Sequence, residues 1–278
     1  MNELGLNIAD VLAWFPHEKE SPYIFVRVSN EHADGLANSI CHAVRRSYLS
    51  DHLLRERVQA LEEELNGTPE ERQAQVINSK LPDAGSTMSG DFGEILVYCY
   101  QAAKAHPQVA FGPKKWRFKQ DRTKPAPLSD VVQFILPTWP TPSAVDVILC
   151  AEVKAKATDG TSSPIEKAIE DCAKDRTSRL LRTLLWLKER AMGENLGSVQ
   201  LAHLNRFINA NDHPTATKRF QAVAVVCSSL VNTELSKAPA EASPEYTLVV
   251  ISVPNLHAVY TAIFDAVRSS TLSTAQTA

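Results

Sequence analysis

The sequence predicts an α/β protein with a mixed central sheet flanked by helices, in one elaborated domain. Three runs of apolar and β-branched residues, at 145–151, 220–227 and 246–253, have the length and composition of buried strands. Elsewhere apolar residues recur at every third or fourth position, as they do on the buried face of a helix. At 278 residues the chain is long enough to bury a large core.

Composition and charge are those of an ordinary soluble globular protein. Charged residues make up 22% of the chain, and no apolar run approaches the roughly 20 residues of a membrane span. The opening residues do not have the pattern of a signal peptide. The five cysteines are odd in number and widely spaced, which argues against a disulfide framework and against a zinc site. We therefore expect a cytoplasmic protein with reduced thiols and no membrane contact.

Residues 1–80 predict a helical N-terminal subregion with no recognisable chemistry. A short strand pattern at 23–28 comes first, and Asn30 can cap the helix that follows. The apolar residues of that helix recur at every fourth position: Leu36, Ile40, Val44 and Tyr48. A second helical pattern stops at the turn formed by residues 66–69. Its apolar residues are Leu54, Val58, Leu61 and Leu65. We expect this subregion to cover the core or to dock a partner.

A glycine-containing segment precedes the next predicted helix. Gly85 and Gly90 have the spacing of a phosphate loop, but an Asp-Phe pair follows where such a loop requires Lys and Ser or Thr, which excludes an NTPase. Asp91 is placed to cap a helix that runs toward Lys104. Glu94, three residues later, completes a capping box. Capping and a role in chemistry both remain open for Glu94 at this point.

The net charge of −3 is unevenly distributed. Residues 114–124 hold six basic side chains and one acid, so this segment carries +5 and the rest of the chain −8. A basic strand on an acidic body can steer a polyanion such as DNA. The candidate nucleic-acid-binding residues are Lys114, Lys115, Arg117, Lys119 and Arg122. The alternative is an exposed edge strand that its lysines protect from aggregation.

The strand pattern at 145–154 ends in two charged residues. Strand side chains alternate between faces, so Glu152 and Lys154 point the same way. Two charges on one face of a central strand are costly unless something compensates them. Either they form an ion pair where the strand emerges into solvent, or they supply a metal ligand and a cation for phosphodiester cleavage.

A hairpin supplies a second carboxylate beside Glu152. Residues 130–136 predict a strand, and the Pro-rich residues 137–143 predict a turn. With that turn at the centre of an antiparallel hairpin, Asp130 lies opposite Glu152. Asp146 is six residues from Glu152 on one strand, roughly 20 Å away, which is too far to share an ion.

A long helix is predicted after the charged strand. Ser163 and Glu166 form a capping box, with Pro at the first helical position. The apolar face holds Ile165, Ile169, Cys172, Leu180, Leu184 and Leu187. The basic face holds Lys167, Lys174, Arg176, Arg179 and Arg182, and is either solvated or laid against a DNA backbone. Helices at 196–209 and 256–267 and a disordered tail at 269–278 complete the chain.

The order of these charged residues resembles the PD-(D/E)xK nuclease superfamily, and it is most similar to the nuclease subunit of the Hachiman antiphage system, the HamA family. The resemblance covers about residues 85–190. It rests on a helix with the sequence Gly93-Glu94-Ile95-Leu96, a basic strand, Asp130, and Glu152-Val153-Lys154. Ser129 stands where many members of the superfamily have Pro or Gly.

This resemblance implies a restriction-endonuclease-like core at 81–268. Asp130 and Glu152 would bind Mg²⁺ or Mn²⁺, Glu94 would be a further ligand or lie just behind the ion, and Lys154 would activate the attacking water. The implied activity is that of a Mg²⁺-dependent deoxyribonuclease, the effector of a bacterial antiphage defence system that works with a helicase partner. Two alternatives stay open: a non-catalytic assembly or DNA-binding module on a nuclease-like scaffold, and a restriction-type nuclease of another system.

Overall fold

Seven strands form one mixed sheet in the computed structural model, which describes residues 1–62 and 66–269. In chain order the strands are β1 (His17–Lys19), β2 (Ile24–Arg27), β3 (Ala110–Phe111), β4 (Val131–Ile135), β5 (Val147–Lys156), β6 (Thr217–Cys227) and β7 (Thr247–Val253). Their order across the sheet is β1-β2-β7-β6-β5-β4-β3. The predicted α/β class with a mixed sheet is confirmed.

Helices cover both faces of this sheet. They are α1 (Ile8–Trp14), α2 (Asn30–Tyr48), α3 (Asp51–Glu62), α4 (Pro69–Asn78), α5 (Ser86–Ala105), α6 (Pro164–Lys174), α7 (Leu180–Gly193), α8 (Leu201–Ile208), α9 (Val231–Leu235) and α10 (Leu256–Ser269). The predicted helix at 196–209 is therefore shorter at both ends. Leu65 and residues 270–278 of the predicted disordered tail lie outside the described residues.

The middle of the sheet is parallel and its two flanks are antiparallel. Strands β5, β6, β7 and β2 run in parallel, while β4 is antiparallel to β5, β3 to β4 and β1 to β2. Residues 222–227 of β6 and 248–253 of β7 are buried on both faces, which explains why these parts of the two strands are nearly continuous apolar runs. Strand β5 lies between this buried centre and the antiparallel flank.

The N-terminal helices share this sheet and its core. Strand β2 pairs with β7, with Ile24 opposite Val249, and α2 packs against α10. Tyr48 of α2 meets Phe264 of α10 edge-on, with ring centroids 6.2 Å apart. The cap of α2 is Ser29, whose hydroxyl accepts a hydrogen bond from the backbone N–H of a residue three positions on, so the predicted cap was one residue too late.

Alternate residues of β5 and β6 pack against different helices. Val153 and Val225 lie in the cluster that includes α5, whereas Ala222 and Ala224 lie in the cluster that includes α6. Because neighbouring residues alternate, β5 presents Glu152 and the residues two and four positions later to the α6 side. The two faces of β5 therefore have different chemical surroundings.

Helix α5 begins at Ser86, five residues before the predicted cap. Met88 and Phe92 are both buried one turn apart, and this burial extends the helix toward its N-terminus. Asp91 lies inside the helix, where its Oδ2 accepts hydrogen bonds from the hydroxyl of Tyr48 at 2.6 Å and from Lys119 at 2.7 Å. The predicted capping box of Asp91 and Glu94 is therefore wrong, and Glu94 has no capping role.

Three further local predictions need correction. The basic segment is not a strand: residues Lys115–Phe118 form a 3-10 helix, because its two aromatic residues are buried in different clusters. Ser163 precedes α6, but its side chain makes no capping hydrogen bond. The long helix predicted after it is interrupted between α6 and α7 by a π-helical turn at Asp175–Arg179.

The remaining sequence expectations can be compared directly with the structure. The five cysteines are buried, and none forms a disulfide. No helix within residues 1–62 and 66–269 combines the length and the apolar character that a membrane span requires.

Candidate active site

The candidate active site lies where β4 begins and β5 runs on past it. Val131 pairs with Ala151, and this register carries Asp130 across from Glu152, as the hairpin argument predicted. Oδ2 of Asp130 accepts a hydrogen bond from the backbone N–H of Val153 at 2.8 Å. The carboxylate of Asp130 therefore accepts a backbone hydrogen bond from β5 at the point where β4 no longer pairs with it.

A cleft of about 500 Å³ opens at this point, and we call it the β5 cleft. All four residues that the sequence proposed as catalytic line it. The charged side chains of the β5 cleft are Glu94, Asp130, Glu152, Lys154, Asp171 and Arg179. They come from the two opposite faces of the sheet, and they meet because the cleft lies at the exposed edge of β5.

Glu94 reaches the cleft because α5 lies close to the sheet. A Cβ atom on Gly93 would stand 3.4 Å from the Cβ of Ala155 and 3.5 Å from Val153, so α5 already lies at van der Waals distance from β5 at this glycine. The Glu94 side chain is buried, and its Oε2 accepts a hydrogen bond from the indole N–H of Trp116 at 3.0 Å. Burial, together with the negative charge of Asp130, raises the pKa of Glu94 well above its usual range.

Glu152 is held by two cations. Its side chain is only 2% exposed; Nζ of Lys154 donates to Oε1 at 2.6 Å, and the guanidinium of Arg179 donates to Oε2. Burial, followed by the charge of Asp130, raises the pKa of Glu152 to about 8 in spite of these cations. Desolvation of the charged form and repulsion from Asp130 therefore outweigh the two cations.

Lys154 is protonated at neutral pH and acts as a hydrogen-bond donor. It lies 2.7 Å from Oδ2 of Asp171 in addition to its contact with Glu152. Although burial opposes the charged form, the hydrogen bonds to Asp171 and Glu152 raise the pKa of Lys154 above its usual value. Lys154 can thus stabilise negative charge or orient a water molecule, but it is not a general base.

Asp130 and Glu152 offer the hard oxygen donors that Mg²⁺ and Mn²⁺ prefer. Within the described part of the chain, no set of three or more His, Cys, Asp and Glu side chains is arranged to hold a metal ion. Two carboxylates suffice for Mg²⁺, which keeps several of its water molecules in protein sites. Burial raises the pKa of Asp130 as well. A divalent cation between these acids would relieve their repulsion, so the residues fit the ion.

All five proposed DNA-binding residues make contacts within the protein. Lys114 and Arg117 each lie 2.8 Å from one oxygen of Glu3. Lys119 lies 2.7 Å from a carboxylate oxygen of Asp91. These contacts use the basic charge of the segment in structural ion pairs, and DNA binding by these residues stays a prediction.

Lys115 and Arg122 complete the basic segment. Lys115 is buried, and its Nζ donates to the carbonyl of Pro127 at 3.1 Å. Burial raises the pKa of both Glu94 and Asp130, and the positive charge of Lys115 opposes that rise from inside the protein. Arg122 is exposed and lies 2.9 Å from the carboxylate of an equally exposed aspartate.

Sequence reasoning missed the acidic and basic residues that α6 and the π turn bring to Glu152. Asp171, Asp175 and Arg179 follow one another at intervals of four, which places them on one helical face. The sequence shows that spacing, but it places Arg179 on a basic face that is either solvated or laid against a DNA backbone, and not beside Glu152. The π turn adds a residue to the helix and turns Arg179 toward Glu152.

Ser129 connects the start of β4, beside Asp130, to the π turn and α7 through hydrogen bonds. Its hydroxyl donates to Oδ1 of Asp175 at 2.6 Å and accepts from the hydroxyl of Thr183 at 2.9 Å. The preceding residue, Leu128, has a φ of 68°, a conformation that costs a bulky side chain on the order of 1 kcal/mol. The hydrogen bonds of Ser129 offset this strain and fix the position of Asp130.

Comparison with protein-family models gives a match to HamA over residues 14–267. This range includes every element from the end of α1 to α10, and is much wider than the segment on which the sequence resemblance rested. Comparison with curated proteins gives no match.

Proposed function

This chain belongs to the HamA family, the nuclease-like subunit of the Hachiman antiphage system, and we propose that it is a metal-dependent DNA endonuclease. Membership makes the chain a component of Hachiman defence, whose partner is the HamB helicase. We propose further that it is the effector, which cleaves DNA when that helicase engages it. A restriction-type role in another system is disfavoured by the family.

One observation carries the proposal: a single cleft holds the two carboxylates and the lysine that metal-dependent phosphodiester cleavage requires. Asp130 and Glu152 face each other across the hairpin, and Lys154 lies on the same side of β5 as Glu152. Neither an isolated surface ion pair nor an ordinary strand end would place a third carboxylate, Glu94, in the same cleft.

Each residue has a distinct role in this proposal. Asp130 and Glu152 would hold the divalent ion, which supplies Lewis-acid stabilisation of the scissile phosphate and lowers the pKa of a bound water. Lys154 keeps its proton at neutral pH, so it orients the attacking water and stabilises charge that develops on the phosphate. Glu94 is held by Trp116, and its raised pKa favours the protonated form, which can donate a hydrogen bond in the cleft.

The second candidate is a non-catalytic assembly or DNA-binding module on the same scaffold. The observation that favours it is the pairing of both Glu152 oxygens, with Lys154 and with Arg179. Under this alternative the contacts of Glu152 are structural and permanent. Its distinguishing consequence is that the protein would bind no divalent ion at Asp130 and Glu152.

The test is cleavage of plasmid and linear DNA in Mg²⁺ or Mn²⁺, by the chain alone and with its helicase. Glu152→Gln and Lys154→Met should each lower cleavage by about 10³-fold. Glu166→Gln is the matched control, because it makes the same change on an exposed face of α6. Cleavage that survives in Glu152→Gln would refute the proposed site. A wild-type protein that neither cleaves DNA nor binds the ions would leave the non-catalytic module.

A further inference from the structure

Each cation that holds Glu152 also has a second acidic partner. Lys154 lies 2.6 Å from Glu152 and 2.7 Å from Asp171. The guanidinium of Arg179 donates to Glu152 through Nη2, and its Nε donates to Oδ1 of Asp175 at 2.7 Å. These second partners, Asp171 and Asp175, which we call the reserve partners, lie on the helical segment formed by α6 and the π turn. An ordinary structural ion pair has no need of such a second acceptor.

One carboxylate oxygen of Asp175 accepts no hydrogen bond from the described residues. Its side chain is buried, and Oδ1 accepts from Arg179 and from the hydroxyl of Ser129. Oδ2 is buried and makes no hydrogen bond with any described residue. A guanidinium can bind both oxygens of one carboxylate through two parallel N–H groups. Asp175 can therefore receive the Arg179 N–H groups that Glu152 now holds.

We propose that Arg179 competes with a divalent cation for Glu152, and that Asp175 retains the guanidinium when the cation takes that carboxylate. The inference rests on the proposed function, since it concerns the affinity of the same site for its metal. Arg179 is a positioning residue here, because it acts through Glu152. Without Asp175, displaced Arg179 would be left without an acidic partner in a half-buried cleft, and that cost would fall on metal binding.

The π turn gives this exchange its geometry. Asp175 and Arg179 are its first and last residues, and the turn directs both toward the α6 side of β5. Nη2 of Arg179, the nitrogen that donates to Glu152, also donates to the backbone carbonyl of Asp171 at 2.8 Å, so this nitrogen is already bonded to α6. Turns of this kind are frequent at functional sites.

The test is the affinity for Mn²⁺, measured by calorimetry on the full chain, with the Mn²⁺-induced rise in melting temperature as a second readout. Arg179→Gln removes the competitor, so its dissociation constant should fall by about tenfold. Asp175→Asn removes the reserve partner, so its dissociation constant should rise by a similar factor. Arg176→Gln is the matched control, because it removes the same charge from the same turn but contacts Glu245 outside the cleft.

The opposite signs separate this inference from a merely structural role. Loss of either residue should lower the stability of the fold, so a structural role would weaken Mn²⁺ binding in both variants. If Arg179→Gln does not fold, Arg179→Lys should shift the dissociation constant in the same direction by a smaller factor, since a lysine donates through one point only. Equal affinities in wild type and both variants, or weaker binding in both, would overturn the inference alone. Absence of Mn²⁺ binding by wild type, with and without DNA, would overturn the proposed function as well.

Discussion

Asp146 and Glu152 flank the first half of β5 and are almost equally buried, yet their surroundings differ in kind. Asp146 has one cation: Arg206 lies 2.7 Å away, both side chains are 1% exposed, and Arg206 also donates to the carbonyls of Ser143 and Pro214. Glu152 has two cations, each shared with another acid, and it faces a cleft. Burial alone does not distinguish a structural carboxylate from a functional one.

The difference lies in whether the partners can exchange. Among the described residues, Asp146 is the one acid that lies within ion-pair distance of Arg206, and this pair joins the start of β5 to the loop before β6. The cations of Glu152 have Asp171 and Asp175 as alternatives. When the cations that hold a carboxylate can pair with a second acid, a metal ion can take their place at low cost in free energy. A metal site needs this property.

The largest expected effect is on activity, at the exchangeable carboxylate. Glu152→Gln should lower DNA cleavage by about 10³-fold, equivalent to about 4 kcal/mol of transition-state stabilisation. The same substitution should leave stability at pH 8 unchanged or raised, because it removes a buried group whose charged form is disfavoured. The cleavage assay and urea unfolding of the same preparation check both halves. A loss of stability as large as the loss of activity would mean that Glu152 is structural like Asp146.

The next effect is on stability, at the fixed pair. Asp146→Asn leaves Arg206 charged and buried without its acid, and should destabilise the protein by about 3 kcal/mol. Cleavage per folded molecule should stay within a few-fold of wild type at low temperature, because Asp146 does not line the β5 cleft. Urea unfolding and the fraction of active protein are the measurements. If Asp146→Asn is fully stable but inactive, Asp146 has a functional role and is not the structural carboxylate of this comparison.

The pH dependence of stability sharpens the contrast. Burial raises the pKa of Glu152 from 4.5 in a solvated chain to about 8 in the fold. Between these values the folded protein keeps a proton that the unfolded chain releases, so the contribution of Glu152 to stability is present below pH 4.5 and is lost as pH rises to 8. Relative to Glu152→Gln, wild type should lose on the order of 2 kcal/mol between pH 5 and pH 8.5 in EDTA. Parallel stability curves for the two proteins would contradict the burial argument.

The sequence predicted those parts of this arrangement that depend on local periodicity. Hairpin symmetry placed Asp130 opposite Glu152, and strand alternation placed Lys154 on the face of Glu152. The distance along an extended strand excluded Asp146. Each inference needed only the spacing of residues in a regular element. The mixed sheet followed from the same patterns.

The parts that it missed depend on tertiary contacts. Arg179 reaches Glu152 through a π turn, and no pattern in the sequence marks an extra residue in a helix. The basic segment forms a 3-10 helix because its two aromatic residues are buried in different clusters, and its lysines and its arginine then meet acids from distant parts of the chain, Glu3 and Asp91. The start of α5 was misplaced because the burial of Met88 outweighed the capping preference of Asp91.

The smallest expected effect tests whether the basic segment behaves like the fixed pair. The Glu3 side chain is a quarter exposed. Burial acts to raise the pKa of Glu3, but the contacts with Lys114 and Arg117 lower it from its ordinary 4.5 to about 2. A lowered pKa means that the stability Glu3 contributes is present above pH 4.5 and is lost as pH falls toward 2. After allowance for solvent screening, Glu3→Gln should cost about 1 kcal/mol at pH 7.

This cost should shrink steadily as pH falls from 5 to 3 in urea unfolding at constant ionic strength. DNA binding by the folded variant should not weaken, since Glu3 contributes negative charge. If Glu3→Gln instead leaves stability unchanged and tightens DNA binding several-fold, Lys114 and Arg117 are available to a polyanion after all. The basic segment would then belong with the exchangeable contacts of Glu152, and not with the closed pair of Asp146 and Arg206.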